Sequence, residues 1–214
     1  MTRTLFVTRL YEADLSADPG FAAFNAELEA ACRMLAAEDA AGRAWARAHR
    51  YPGYTSYASL DDLPTRASVF GALKRRLDRH AAAFATELGL DLRGGRLKLD
   101  SLWANLTRGG AGGGAGGGGA AHSGHIHPHS VLSGTLYVAV PPGAGGIRFE
   151  DPRLPLMMAA PPRGADAPED AQTFVTVQPR PGTLLLWESW LRHEVPAGTA
   201  RADRISLSFN YACR

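Results

Sequence analysis

Ser133-Gly-Thr-Leu-Tyr-Val-Ala-Val-Pro-Pro-Gly-Ala-Gly-Gly-Ile-Arg-Phe-Glu150 runs apolar, breaks on prolines and glycines, and turns apolar again. Short runs of Val, Ile, Leu, Phe and Tyr bounded by Gly/Pro clusters read as strands, here Gly134–Val140 and Gly146–Glu150. The pattern recurs at Thr183–Trp187 and Arg204–Tyr211, and Leu97 and Leu99 alternate with Lys98 and Asp100 on the way into Leu102-Trp103-Ala104-Asn105-Leu106. Upstream the period changes. Phe21, Phe24, Leu28, Cys32 and Leu35 recur at helical spacing behind Asp18-Pro19, which offers an N-cap and a proline at the first helical position. A second stripe begins near Pro64, runs Val69, Phe70, Leu73, Leu77, Phe84 and Leu88, and stops at Gly89, a left-handed C-cap. Helices followed by many short strands predict an α+β fold whose body is an antiparallel sandwich or jelly roll.

The expected organisation is one domain over 1–214, with 1–95 as mainly helical support and 96–214 as the β body. The turn-rich connection Tyr51–Tyr57 is read as tyrosines packing against the core, with a contribution to a binding face as the alternative. Residues 109–120 hold nine glycines and three alanines, a composition that buries no side chains and predicts a loop edging the site or a tolerated insertion. No Lys-Ser/Thr follows it, so it does not read as a phosphate-cradling loop.

The chain has 214 residues, 45% of them hydrophobic and 21% charged, the proportions of an ordinary globular protein. A formal net charge of +2 and the lack of a basic stripe exclude nucleic acid as an expected partner. No apolar run approaches the roughly 20 residues of a membrane helix. The N-terminus meets Arg9, Glu12 and Asp14 too early for a signal peptide, and Cys32 and Cys213 make no disulfide framework, so a cytoplasmic location is expected.

Chemistry concentrates in Ala121-His-Ser-Gly-His-Ile-His-Pro-His129, which holds four of the seven histidines. Residues two apart on a strand point the same way, so His125 and His127 are expected to aim at one point. They form either a metal pair or a hydrogen-bonded structural pair. A third ligand must come from elsewhere, and His193, just beyond the apolar Thr183–Trp187 run, is the candidate. Three such ligands with open positions suit non-haem Fe(II). His122 is expected to be solvent-exposed, His129 to lie in a loop, and His49 and His80 to sit on helices. Further on, Arg204, Ser206 and Ser208 share one strand face opposite Ile205, Leu207 and Phe209. An inward-pointing arginine requires an anion, and a guanidinium grips a carboxylate with two hydrogen bonds. The other reading puts Arg204 on the solvent face.

Taken in order, H-I-H-P, SGTLYV, GGIRFEDP, PGTLLLWESWLRHEV and RISLSFN resemble the 2-oxoglutarate/Fe(II)-dependent oxygenase superfamily, and within it a bacterial group related to the prolyl 4-hydroxylases. The resemblance extends to LFVTRLY, GYTSYASL and LDSLWANL in the first half. It implies a double-stranded β-helix, a jelly-roll variant, with flanking helices. It also implies Fe(II) and 2-oxoglutarate as cofactors, dioxygen as co-reactant, and oxidation of an unspecified substrate coupled to decarboxylation of 2-oxoglutarate to succinate. By position, His125 is the first metal ligand and His193 the distal one. Arg204 and Ser206, with Tyr137, hold the far carboxylate of 2-oxoglutarate. One position departs from the pattern: the superfamily has a carboxylate where this chain has His127. Either His127 ligates, or Asp151 at the end of the Gly146–Glu150 run supplies the carboxylate. A cupin-like metal enzyme without 2-oxoglutarate and a non-catalytic jelly-roll module remain alternatives, although Ser130–Ser133 lacks the glutamate a cupin places after H-x-H.

Overall fold

A computed structural model describes residues 1–51, 53–107 and 121–214; the glycine-rich stretch 109–120 lies outside the described residues. In chain order the elements are β1 (Leu10–Asp14), α1 (Phe21–Glu38), α2 (Ala40–Ala48), β2 (Gly53–Thr55), α3 (Ser68–Glu87), β3 (Leu97–Thr107), β4 (His122–His125), β5 (Leu132–Ala139), β6 (Ile147–Glu150), β7 (Phe174–Val177), β8 (Thr183–Glu188), β9 (His193–Val195) and β10 (Arg204–Cys213). The strands form a six-stranded sheet in the order β1-β8-β5-β10-β3-β2 and a four-stranded sheet in the order β4-β9-β6-β7. Every ladder between named strands is antiparallel. This is the jelly roll expected from the strand pattern. The first 95 residues are not purely helical support, because β1 and β2 close the two edges of the large sheet. Among the described residues no helix is long and apolar enough to cross a membrane.

Alternation along the large sheet divides two interiors. Ile205, Leu207, Phe209 and Tyr211 of β10 join Leu102, Ala104 and Leu106 of β3 and Leu132, Leu136 and Val138 of β5 in one cluster with α1 and α3, whose Leu28, Cys32, Leu73, Leu77 and Phe84 are buried there. The intervening residues Arg204, Ser206, Ser208, Asn105 and Tyr137 face the other way, into a cavity between the sheets. A second cluster of Tyr137, Ile147, Phe149, Leu185, Trp187 and Leu191 fills the rest of that space. Gly134 has a packing reason: a Cβ there would stand 2.4 Å from the Phe209 ring and 2.6 Å from the Leu185 carbonyl.

The helices follow the apolar stripes, with one boundary moved. α1 begins at Phe21 behind Gly20, whose φ of +77° makes the turn, and Asp18 supplies only a backbone carbonyl, 3.1 Å from the Phe21 N–H. The Asp18-Pro19 start read from the sequence is therefore two residues early; a 3-10 turn at Leu15–Ala17 occupies the chain just before it. α3 ends as expected at Gly89, φ +66°, where the Leu90 N–H reaches the Ala85 carbonyl and the Gly89 N–H reaches Thr86. The helical pattern expected around His49 is α2, which ends one residue short of it at Ala48. Asp39 caps it through the Gly42 N–H at 2.9 Å and also accepts the hydroxyls of Tyr54 and Ser59, tying α2 to the segment around β2.

Candidate metal and anion site

His125 closes β4 directly opposite His193 at the start of β9, and their ring centroids are 4.5 Å apart. His127 lies beyond the end of β4, so shared strand parity does not explain its direction. Its backbone N–H donates to the Ser189 carbonyl at 3.0 Å. Pro128 and His129 then turn the chain, His129 at φ +69°. Ser189 in turn reaches the buried Ser133 hydroxyl at 2.8 Å, and Ser133 donates to Asn210 at 2.8 Å. This buried network fastens the H-x-H turn to the loop that leads into His193. The His127 ring ends 5.1 Å from His125 and 5.2 Å from His193, stacked on the latter. One ring nitrogen from each of the three histidines lies within 4.8 Å of the others.

The rings are in the right chemical state to ligate. Carbonyl oxygens only accept, so His125 Nδ1 donates to Ser123 at 2.8 Å and His193 Nδ1 to Leu191 at 2.9 Å. Nε2 of each is left as the lone-pair nitrogen. Burial pulls His193 from its ordinary 6.5 down to about 3; the Leu191 carbonyl opposes the shift, and His125, His127 and His122 add to it. Burial, helped by His125, likewise brings His127 to about 4. Both are neutral donors at neutral pH. Asp151 is not part of this group: its carboxylate takes both nitrogens of the Arg153 fork, at 2.9 and 2.8 Å.

Arg204 points inward, into the same cavity of about 310 Å³ that the three histidines line. It is 6% exposed. One nitrogen donates to the Gly145 carbonyl at 3.0 Å, and among the described residues its buried Nε has no partner. Ser206, 4% exposed, sits two residues on and is the register partner of Tyr137, whose ring centre is 6.0 Å from the guanidinium carbon. Burial lifts the Tyr137 phenol to about 12 despite Arg204, so its hydroxyl keeps its proton.

His122 is a correction. It is half-buried rather than solvent-exposed, lines the cavity, and bonds to the Tyr51 hydroxyl at 2.9 Å. Tyr51 also donates to Asn105 at 3.2 Å, and Asn105 accepts Thr55 at 2.8 Å and donates to Ser208 at 3.1 Å. Burial first, then Arg204 and His125, brings His122 to about 4. Tyr51 and Tyr57 line the cavity, the binding-face alternative for that connection, whereas sequence reasoning missed Trp103, Asn105 and Trp187 as lining residues. The signal available was the alternation in LDSLWANL, which puts Trp103 and Asn105 on one face. His129 lies exposed in its turn, while His80 on α3 pairs with Tyr11 at 2.9 Å and His49, the C-cap of α2, with the Trp45 carbonyl at 2.9 Å.

These shifts set a pH dependence. A folded-state value below 6.5 means that the unfolded chain binds the proton more tightly. Stability of the metal-free protein is therefore complete above about pH 6.5 and declines as pH falls toward the folded values near 4 and 3. Carboxylates held below 3.8, such as Asp151 and Asp62, contribute their stability throughout the range above that value and lose it only as pH falls below it. The urea midpoint of chelator-treated protein is expected to drop between about pH 7 and pH 5, and a level midpoint would contradict the neutral burial of these rings.

Residues 115–210 match the family described as "Putative 2OG-Fe(II) oxygenase". No curated protein sequence matches the chain. Among solved structures, a Pseudomonas putida prolyl-4-hydroxylase aligns with 19% identity over 97% of this chain and 94% of its own, at a TM-score of 0.59. EctD from S. alaskensis, with 2-oxoglutarate and 5-hydroxyectoine, aligns with 16% identity over 96% and 72% of the two chains, TM-score 0.63. SnoN, an α-ketoglutarate-dependent epimerase from nogalamycin biosynthesis, aligns with 19% identity over 96% and 76%, TM-score 0.60. At these identities the likeness is one of fold, the double-stranded β-helix.

Proposed function

We propose that the chain is a member of the 2-oxoglutarate/Fe(II)-dependent oxygenase superfamily that holds Fe(II) on His125, His127 and His193 and 2-oxoglutarate against Arg204. One observation carries this reading: three imidazole nitrogens converge in the same cavity as a buried guanidinium whose Nε has no partner among the described residues. The donor set fits the metal, since imidazole suits iron and the Ser123 and Leu191 carbonyls leave Nε2 of His125 and His193 facing the site. Fe(II) there supplies the redox chemistry that couples 2-oxoglutarate decarboxylation to oxidation of a substrate by dioxygen.

The protein's own groups bind, orient and exclude water. Arg204 presents its fork to the far carboxylate of 2-oxoglutarate, and the Ser206 and Tyr137 hydroxyls donate beside it. The Ser123 and Leu191 carbonyls fix the His125 and His193 rings. Trp187, Phe149 and Ile147 dry the wall next to His193; the Trp187 ring stands 4.7 Å from it. A metal enzyme without 2-oxoglutarate leaves the buried Arg204 cation unexplained. His127 in place of a carboxylate leaves the bound ion with its full positive charge.

The test is a thermal melt with Mn(II) and 2-oxoglutarate, singly and together. A ligand at 100 times its Kd stabilises the folded state by about 2.7 kcal/mol, or roughly 5–10 °C for a chain of this size. The 2-oxoglutarate shift is expected only when metal is present. Metal stabilisation with no response to 2-oxoglutarate would overturn the reading.

A further inference from the structure

We propose that the substrate presents an uncharged aromatic or similarly planar apolar group to this site, an inference that rests on the oxygenase reading above. Two runs of rings line the cavity. Trp45 of α2 lies 6.3 Å from Tyr51, which is edge-on to His122 at 5.1 Å. Tyr57, just after β2, is edge-on to Trp103 at 5.0 Å, and Trp103 stands 6.1 Å from the candidate ligand His127. Tyr57 is 54% exposed and Ile126, between the two ligands of the H-x-H turn, is 45% exposed, so apolar surface is accessible beside the metal site. The rings are held in place. Asp39 ties α2, which carries Trp45, to Tyr54 and Ser59, and Tyr51 is fixed through Asn105.

Charge narrows the class further. No Asp or Glu lines the cavity among the described residues, and residues 108–120 contain Arg108 with only Gly and Ala. A divalent ion on three neutral imidazoles keeps both charges; adding Arg204 and subtracting the two of 2-oxoglutarate leaves the site positive. A cationic group is repelled there despite the rings. An anionic group is drawn by that net charge but finds Arg204 already engaged and, where it must pack, aromatic faces whose quadrupole is negative. A neutral ring buries against Trp103 and Tyr57 with neither penalty. Because 2-oxoglutarate shares a cavity of about 310 Å³, only an end of the substrate enters.

The test uses full-length protein saturated with Mn(II) and 2-oxoglutarate, titrated with indole, benzamidinium and benzoate by calorimetry. Indole is expected to bind at least tenfold tighter than either ion. W103L is expected to weaken indole binding at least fivefold while 2-oxoglutarate affinity stays within twofold. Y57A, at an exposed position where folding is not at stake, is expected to weaken indole in the same direction. Equal or tighter binding of a charged probe, or no indole binding by protein that binds 2-oxoglutarate, overturns the substrate class and leaves the oxygenase reading standing. Failure of 2-oxoglutarate to bind the metal-loaded protein overturns the oxygenase reading and this inference with it.

Discussion

His193→Gln is expected to weaken divalent-metal binding by far more than the about 10- to 100-fold that loss of an outer hydrogen-bond partner of a ligand costs. His193 is the one buried member of the three, 5% exposed, and is fixed by Leu191 behind and Trp187 beside it. It approaches both other rings, so its removal leaves two ligands on one short turn with nothing across from them. Glutamine keeps most of the volume and limits the cavity that alanine would open beside Trp187 and Phe149. His125→Ala tests the same point from an exposed position, where folding is not at stake. Equilibrium dialysis with Mn(II) measures both, with His80→Gln as the control, since His80, on α3, serves Tyr11 of β1. Native metal affinity in His193→Gln would dismantle the three-histidine centre.

The route from sequence to these residues was uneven, for physical reasons. β10 was legible because strict alternation separates its polar Arg204, Ser206 and Ser208 from its apolar Ile205, Leu207 and Phe209, and both faces are buried against different partners. β1 and β2 were less so: edge strands of 5 and 3 residues are held by their neighbours, and their own patterns are too short to show it. His125 and His127 were picked out by spacing, yet the spacing works differently from the reason given for it. β4 ends at His125, and the bond from His127 to Ser189, 62 positions away, aims the second ring. His122 shows the converse failure. Nothing near it in sequence predicts burial, because its cover is Tyr51, 71 residues upstream, brought in by α2 and β2. Asp151 offered a carboxylate near the right place, but Arg153, two residues on, holds it in a local turn. Local pattern sets faces and element types. Which faces meet is decided by contacts between distant segments.

Arg204→Met is expected to move stability and binding in opposite directions. Among the described residues the buried guanidinium meets one carbonyl, Gly145, and its Nε has no partner. A charge so placed costs desolvation that one neutral acceptor does not repay, and apolar replacements of buried ionic groups are often neutral or stabilising by about 1–4 kcal/mol. Methionine fills similar volume without the charge, so the thermal midpoint of the variant is expected to equal or exceed that of the native protein. Binding goes the other way. A buried carboxylate that loses its charged partner forfeits about 2–5 kcal/mol, which is roughly 30- to several-thousand-fold in the Kd for 2-oxoglutarate. Arg204→Lys separates charge from geometry: it keeps the cation but loses the fork, so its affinity falls between the two. Metal affinity without 2-oxoglutarate is expected to stay unchanged in both variants, because Arg204 touches none of the three histidines. Calorimetry on Mn(II)-loaded protein, with melting curves on the same samples, reads all three quantities. Loss of stability together with an unchanged 2-oxoglutarate Kd would make Arg204 a structural cation and remove the anchor on which co-substrate binding depends.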